Sequence, residues 1–148
     1  MESTVKFIHS YWAYLVLIML IISSVNAIIG FVSKREYQAK DFRIALFTLI
    51  VTHLQFVIGL VLLFVSNKIL WFESDISMKD IMGSSQLRLY NVEHPLVMII
   101  AIALLTIGYS KHKKKLTSTP KFKFLAIFYS LALLLVLSRL PWNAWLNY

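Results

Sequence analysis

Cysteine is absent from this 148-residue chain, which excludes disulfides, thiolate metal sites, iron–sulfur clusters and covalent heme attachment through Cys-x-x-Cys-His. Any metal or cofactor must therefore be held by His, Met, Tyr or carboxylates. Glycine and proline are scarce, at four and three, and acids number seven against fifteen bases. Long polar stretches are missing as well. Four hydrophobic runs, at about 10–32, 43–66, 92–110 and 122–142, leave one substantial segment outside them, residues 67–93. No separate soluble catalytic domain fits in what remains, so residues 1–148 read as a single transmembrane domain. Each run is long enough to cross the ~30 Å hydrocarbon layer as a helix.

The charge is as unevenly distributed as the hydrophobicity. Segment 33–43 carries Lys34, Arg35, Lys40 and Arg43, and segment 110–123 carries Lys111, Lys113, Lys114, Lys115, Lys121 and Lys123, against only Glu36 and Asp41. Together they account for the chain's net charge of +8, and the remaining charges cancel. Basic residues flanking apolar helices are attracted to the anionic inner leaflet, so this balance points to the lipid bilayer and not to nucleic acid. By the positive-inside rule both basic segments are cytoplasmic and both termini lie outside. The expected fold is an all-α, up-down-up-down four-helix transmembrane bundle. The N-terminus lacks a basic n-region followed by a small-residue cleavage site, so the first run is expected to be a retained helix.

Local signals refine the ends of the runs. Ser3 and Thr4 are candidate N-caps of the first helix, and Tyr11, Trp12 and Tyr14 suit an interfacial aromatic belt. Pro95 reads as the start of the third helix, because proline is tolerated where no N–H is needed, with Asn91 as a candidate cap. The segment 67–93 mixes Trp71, Phe72 and Met78 with acids, which suits a strip lying on the membrane surface or lidding the bundle.

In an up-down-up-down bundle the first and third helices are diagonal and parallel. His9, near the start of the first, and His94, in the first turn of the third, then lie at similar depth and can meet across the axis. A b-type heme needs two axial ligands approaching its iron from opposite faces. The alternative is that both imidazoles solvate helix ends. His53 falls near mid-membrane, where ionisable residues are rare and functional by default. It is a candidate ligand for a deeper cofactor, a quinone partner or a proton relay, or else a neutral imidazole bonded to a neighbouring helix through Ser23, Asn26 or Tyr129.

His112 sits inside Lys111-His112-Lys113-Lys114-Lys115 and reads as a solvated member of that basic run. Arg139, one turn from the outer boundary, can pair with heme propionates, with Glu93 or with lipid phosphate. Gly59 either makes room for a flat ring or lets helices pack closely. Met98 shares the face of His94, and with both histidines it would offer a copper site.

The run His53-Leu54-Gln55-Phe56-Val57-Ile58-Gly59-Leu60-Val61-Leu62-Leu63-Phe64, the later Glu93-His94-Pro95, His9-Ser10-Tyr11-Trp12 and Pro141-Trp142 resemble small four-helix bacterial membrane proteins labelled cytochrome b-like. The first three runs are more distantly similar to a four-helix half of heme A synthase, with His9 and His94 at the positions of its heme ligands. The glutamate that precedes the first of those ligands has no counterpart here. The resemblance implies heme b binding in the bacterial cytoplasmic membrane and not heme A synthesis. The expected function is electron transfer by a membrane cytochrome, with quinol as a candidate partner and membership of a larger membrane complex as a further expectation. Its rivals are a cofactor-free assembly or transport subunit whose histidines line a polar path, and an enzyme acting on a quinone with His53 as acid or base.

Overall fold

The apolar runs become helices because, away from water, backbone N–H and C=O groups must be satisfied within the segment that carries them. A computed structural model describes residues 1–146. Its elements are α1 (Glu2–Val32), α2 (Ala39–Val65), α3 (Met78–Gly83), α4 (Ser85–Arg88), one π-helical turn (Leu89–Glu93), α5 (His94–Lys113), α6 (Ser118–Ser138) and α7 (Trp142–Trp145), and no strand occurs among the described residues. Four helices are long and apolar enough to span a membrane: α1, α2, the continuous stretch Ser85–Lys113, and α6. Their outward faces carry exposed Ile18, Ile22, Leu54, Val57, Ile99 and Leu134, as contact with lipid requires.

The extensive helix contacts form a closed ring in which α1 packs on α2, α2 on α5, α5 on α6 and α6 on α1, so α1 and α5 are diagonal. Hydrogen bonds at the helix ends give the sense of each neighbour. Asn26 near the end of α1 meets Asp41 near the start of α2, and Glu2 meets Ser66 just past the end of α2. His94 at the start of α5 meets Arg139 just past α6. Sequential helices in the ring are therefore antiparallel.

Several helix ends differ from expectation. Helix α1 starts at Glu2, with Ser3 and Thr4 inside its first turn and neither acting as a cap; Glu2 there faces the positive end of the helix dipole. Helix α6 stops at Ser138, because Arg139 leaves the helical region at φ −129° and ψ 23°, and Pro141 cannot donate the N–H that would carry the helix on. Pro95 is the second residue of α5, as expected, but α5 is not a free-standing start: it continues without a break from the π-helical turn, inside the stretch Ser85–Lys113. In a regular helix the Asn91 carbonyl would accept from residue 95, which is proline and has no proton to give. The Trp71 indole N–H donates to that carbonyl instead, at 2.9 Å. Asn91 is accordingly not a cap. Its buried side chain accepts from the Leu70 N–H and donates to the carbonyls of Lys68 and Leu87, which straps the segment after α2 against the start of the third span.

The bundle is dense toward its basic end and hollow toward the other. Leu20, Val51, Leu105, Phe122 and Tyr129 are all almost fully buried there. Gly108 lets α6 approach so closely that a Cβ in its place would lie 2.3 Å from Cβ of Phe128. The basic end is locked by Asp41, 1% exposed, which accepts from Arg35 at 3.0 and 3.1 Å, from Asn26 at 2.8 Å and from the Gln38 N–H at 2.8 Å.

His112 belongs to that lock and not to the solvated basic run. It is completely buried, its Nδ1–H donates to the Tyr109 carbonyl, and Nε2 accepts from the Tyr37 hydroxyl at 2.8 Å. Burial first, and then the Asp41 carboxylate, push the Tyr37 pKa well above its ordinary value, so Tyr37 stays protonated and donates. The reason is helical phase. His112 follows Leu105, Gly108 and Tyr109 on the inward face of α5, while its lysine neighbours point away.

Candidate functional site

Above Val16 on α1, Thr52 on α2, Ala101 on α5 and Val136 on α6, the core opens into a cavity of about 260 Å³ bordered by all four long helices. Its lining runs from Glu2 to Leu17 on α1 and from Ser66 back to Thr52 on the α2 side, a depth of roughly 20 Å at 1.5 Å per residue. Lys68, Ile69, Trp71 and Tyr90 close its mouth, and Trp145 of α7 folds over α1, stacking on Tyr14 and donating to the Ser10 carbonyl. The segment expected to lie on the membrane or lid the bundle thus supplies part of a lid. Trp12, expected in an aromatic belt, turns inward and donates to the Val51 carbonyl at 2.8 Å.

His9 and His94 both face this cavity, with ring centres 6.3 Å apart and ring planes at 76°. His94 is oriented by the break after α6. The freed Arg139 carbonyl lies 2.8 Å from its Nδ1, and since a carbonyl can only accept, Nδ1 carries the proton and Nε2 keeps its lone pair. A metal-binding imidazole is commonly held in this way. His9 is oriented differently. Gln55 donates to its backbone carbonyl at 2.9 Å, while the His9 Nδ1 and the Gln55 Oε1 are both buried with no hydrogen-bond partner. Gly59 faces the His9 ring, since a Cβ there would sit 3.2 Å from its Cε1 and 3.7 Å from its Nδ1. The glycine therefore makes room for the imidazole itself.

The donor set can be tested against a heme. Two imidazole nitrogens each about 2 Å from one metal stand about 4 Å apart, which puts the two ring centres a little over 6 Å apart when they bind from opposite sides. The observed separation meets that spacing. Among the described residues no group of three or more His, Cys, Asp or Glu side chains is placed to hold a metal ion. A metal between these rings has two protein nitrogens and needs its remaining coordination from elsewhere, which is what a porphyrin's nitrogens provide. Met98 also borders the cavity. Its volume lies near the lower end for small-molecule pockets, so a larger ring system has to displace flexible side chains such as Met98 and Leu63.

The other candidate residues lie outside this cavity. His53 sits on the face of α2 toward α5, its Nδ1–H donating to the Leu49 carbonyl at 2.8 Å and its Nε2 3.3 Å from the Thr106 hydroxyl. That hydroxyl is also 2.8 Å from the Ile102 carbonyl, so one proton serves two acceptors. The partner is neither Ser23, Asn26 nor Tyr129; Asn26 is held by Asp41 and Arg35, and Tyr129 donates to the Ala45 carbonyl. Arg139 does not border the cavity, and its guanidinium pairs with Glu93 at 3.4 Å, on a carboxylate that also binds Arg88 at 2.8 Å. The sequence reading marks neither the hydrogen bond from Gln55 to the His9 carbonyl nor the closure by Trp145 over α1. Compared with protein families, curated proteins and solved structures, the chain shows no match.

Proposed function

We propose that this chain is a membrane b-type cytochrome that holds one heme between α1 and α5, with His9 and His94 as axial ligands, and carries electrons. The observation behind this reading is the facing pair of imidazoles, 6.3 Å apart at the hollow end of a bundle otherwise densely filled. The bound heme would supply a one-electron ferric/ferrous couple. The protein's part is to keep the ligands in place. The Arg139 carbonyl fixes the tautomer of His94, Gln55 and Gly59 set the position of His9, and apolar side chains exclude water from the ring. Ligation by both histidines would leave a heme no open position for oxygen or substrate, so electron transfer fits better than catalysis.

In the orientation the charges favour, the basic loops lie in the cytoplasm, both termini outside, and the histidine cavity in the outer half of the bacterial cytoplasmic membrane. That depth suits exchange with a lipid-soluble carrier such as quinol. A polar path for transport fits less well, because Leu20, Val51, Leu105 and Tyr129 fill the axis below the cavity.

A dithionite-reduced minus oxidised spectrum of the detergent-purified protein, with a pyridine hemochrome count, should show a b-type α-band and about one heme per chain. His9→Ala and His94→Ala should each abolish it. A folded, colourless wild-type protein, or intact bands in both variants, would overturn the assignment.

A further inference from the structure

The two imidazoles at the cavity differ in what holds their Nδ1 atoms. His94 gives its Nδ1–H to the Arg139 carbonyl at 2.8 Å, an acceptor freed by the break after α6. The Nδ1 of His9 is buried with no hydrogen-bond partner. Among the described residues that border the cavity, one other buried polar atom shares that condition, the Oε1 of Gln55. The orientation of this amide follows from its other end. Its nitrogen lies 2.9 Å from the His9 carbonyl, which can only accept, so the NH2 group is held there and the oxygen is turned away from it. The edge of the His9 ring that carries Nδ1 lies against α2, since a Cβ at Gly59 would stand 3.2 Å from Cε1 and 3.7 Å from Nδ1. Gly59 follows Gln55 by four residues and so shares its face of that helix. The unpartnered nitrogen and the unpartnered oxygen thus lie within one turn of each other on one stripe of α2.

We infer that Gln55 is the positioning residue of His9 in the heme-bound protein: its amide N–H holds the His9 backbone carbonyl, and its amide oxygen accepts the His9 Nδ1–H, directly or through one bridging water. This rests on the heme reading above, and it adds a residue that sets the reduction potential. A neutral imidazole that binds iron through Nε2 carries its proton on Nδ1, where burial demands an acceptor. A carbonyl oxygen accepting that proton makes the imidazole a stronger ligand, which favours the ferric state and lowers the potential. The acceptor of His94 is a main-chain carbonyl that no change of side chain removes. That of His9 is a side chain, so the potential is adjustable from α2.

The test is a redox titration of the α-band in the detergent-purified holoprotein, with circular dichroism on the same samples. Gln55→Leu keeps most of the bulk and removes the acceptor. It should raise the midpoint potential by about 59 mV, a roughly tenfold shift toward the ferrous form. Gln55→Glu loses the amide N–H but keeps an acceptor oxygen whether ionised or protonated, and should titrate at or below the wild-type potential. The same result in Gln55→Glu upholds the inference even where Gln55→Leu alone fails to retain heme. An unchanged or lower potential in Gln55→Leu, or a rise in Gln55→Glu, overturns the hydrogen bond to Nδ1 and leaves the histidine ligation standing. Loss of heme or of helix content in both variants would do the same, because what both lack is the donor to the His9 carbonyl. A wild-type protein with no b-type α-band overturns the heme reading and this inference with it.

Discussion

His112 and its lysine neighbours show how one residue step on a helix separates a buried group from a solvated one. With Leu105, Gly108 and Tyr109 it forms the inner stripe of α5, and it ties Tyr37 of the α1–α2 loop to that helix. His112→Ala would leave the half-buried Tyr37 hydroxyl without an acceptor, at a cost of about 1 kcal/mol. The variant should melt at lower temperature while the spectrum of the proposed heme, at the opposite end of the bundle, stays unchanged; altered bands in a folded variant would contradict this separation. Gly59 makes the converse case. A Cβ there would lie 3.2 Å from the His9 ring, so Gly59→Val should push the imidazole off its position and, on the proposed heme reading, lower heme occupancy with helix content retained, as hemochrome and circular dichroism on one sample would show. The burial of His112 could be read only by phase, from Gly108 and Tyr109. In spans that are apolar on every face that phase is nearly invisible.

At the scale of an element, the third span shows a rule that was correct and a conclusion drawn from it that held only in part: α5 does begin at His94-Pro95, but the span begins earlier. Proline does remove a helical hydrogen bond, and Pro95 does leave the Asn91 carbonyl without its helical donor. The helix nevertheless continues through it, because a π-helical turn precedes Pro95 and Trp71, some twenty residues away in sequence, supplies the missing donor. No local pattern reveals a donor brought in by tertiary structure. The same strap makes the lid depend on Asn91, whose side chain holds the Leu70 N–H and the Lys68 carbonyl. Asn91→Ala should therefore free residues 67–77 and raise their rate of proteolytic cleavage several-fold while the four long helices stay intact. Unchanged cleavage would mean that Trp71 alone is sufficient to hold the segment.

At the scale of the whole molecule, the chain divides along its long axis. Asp41, Arg35, Asn26, Tyr37 and His112 close one end with buried polar contacts, while the other end is left open around His9 and His94. The four membrane-length helices and the meeting of these two histidines were legible in advance, because run length gives the first and antiparallel packing of neighbouring spans brings the second about. The hollow was not, since it is defined by which apolar residues fail to touch. Function also depends on which end faces which side of the membrane, and here the absence of cysteine becomes an experimental asset. In the Ser74→Cys and Lys114→Cys variants the introduced thiol is unique in the chain. If the ten basic-loop cations hold their loops inside, a membrane-impermeant maleimide should label the first variant in intact cells and the second only after permeabilisation. The reverse pattern would place the histidine cavity on the cytoplasmic side and move the proposed exchange of electrons to that side of the membrane.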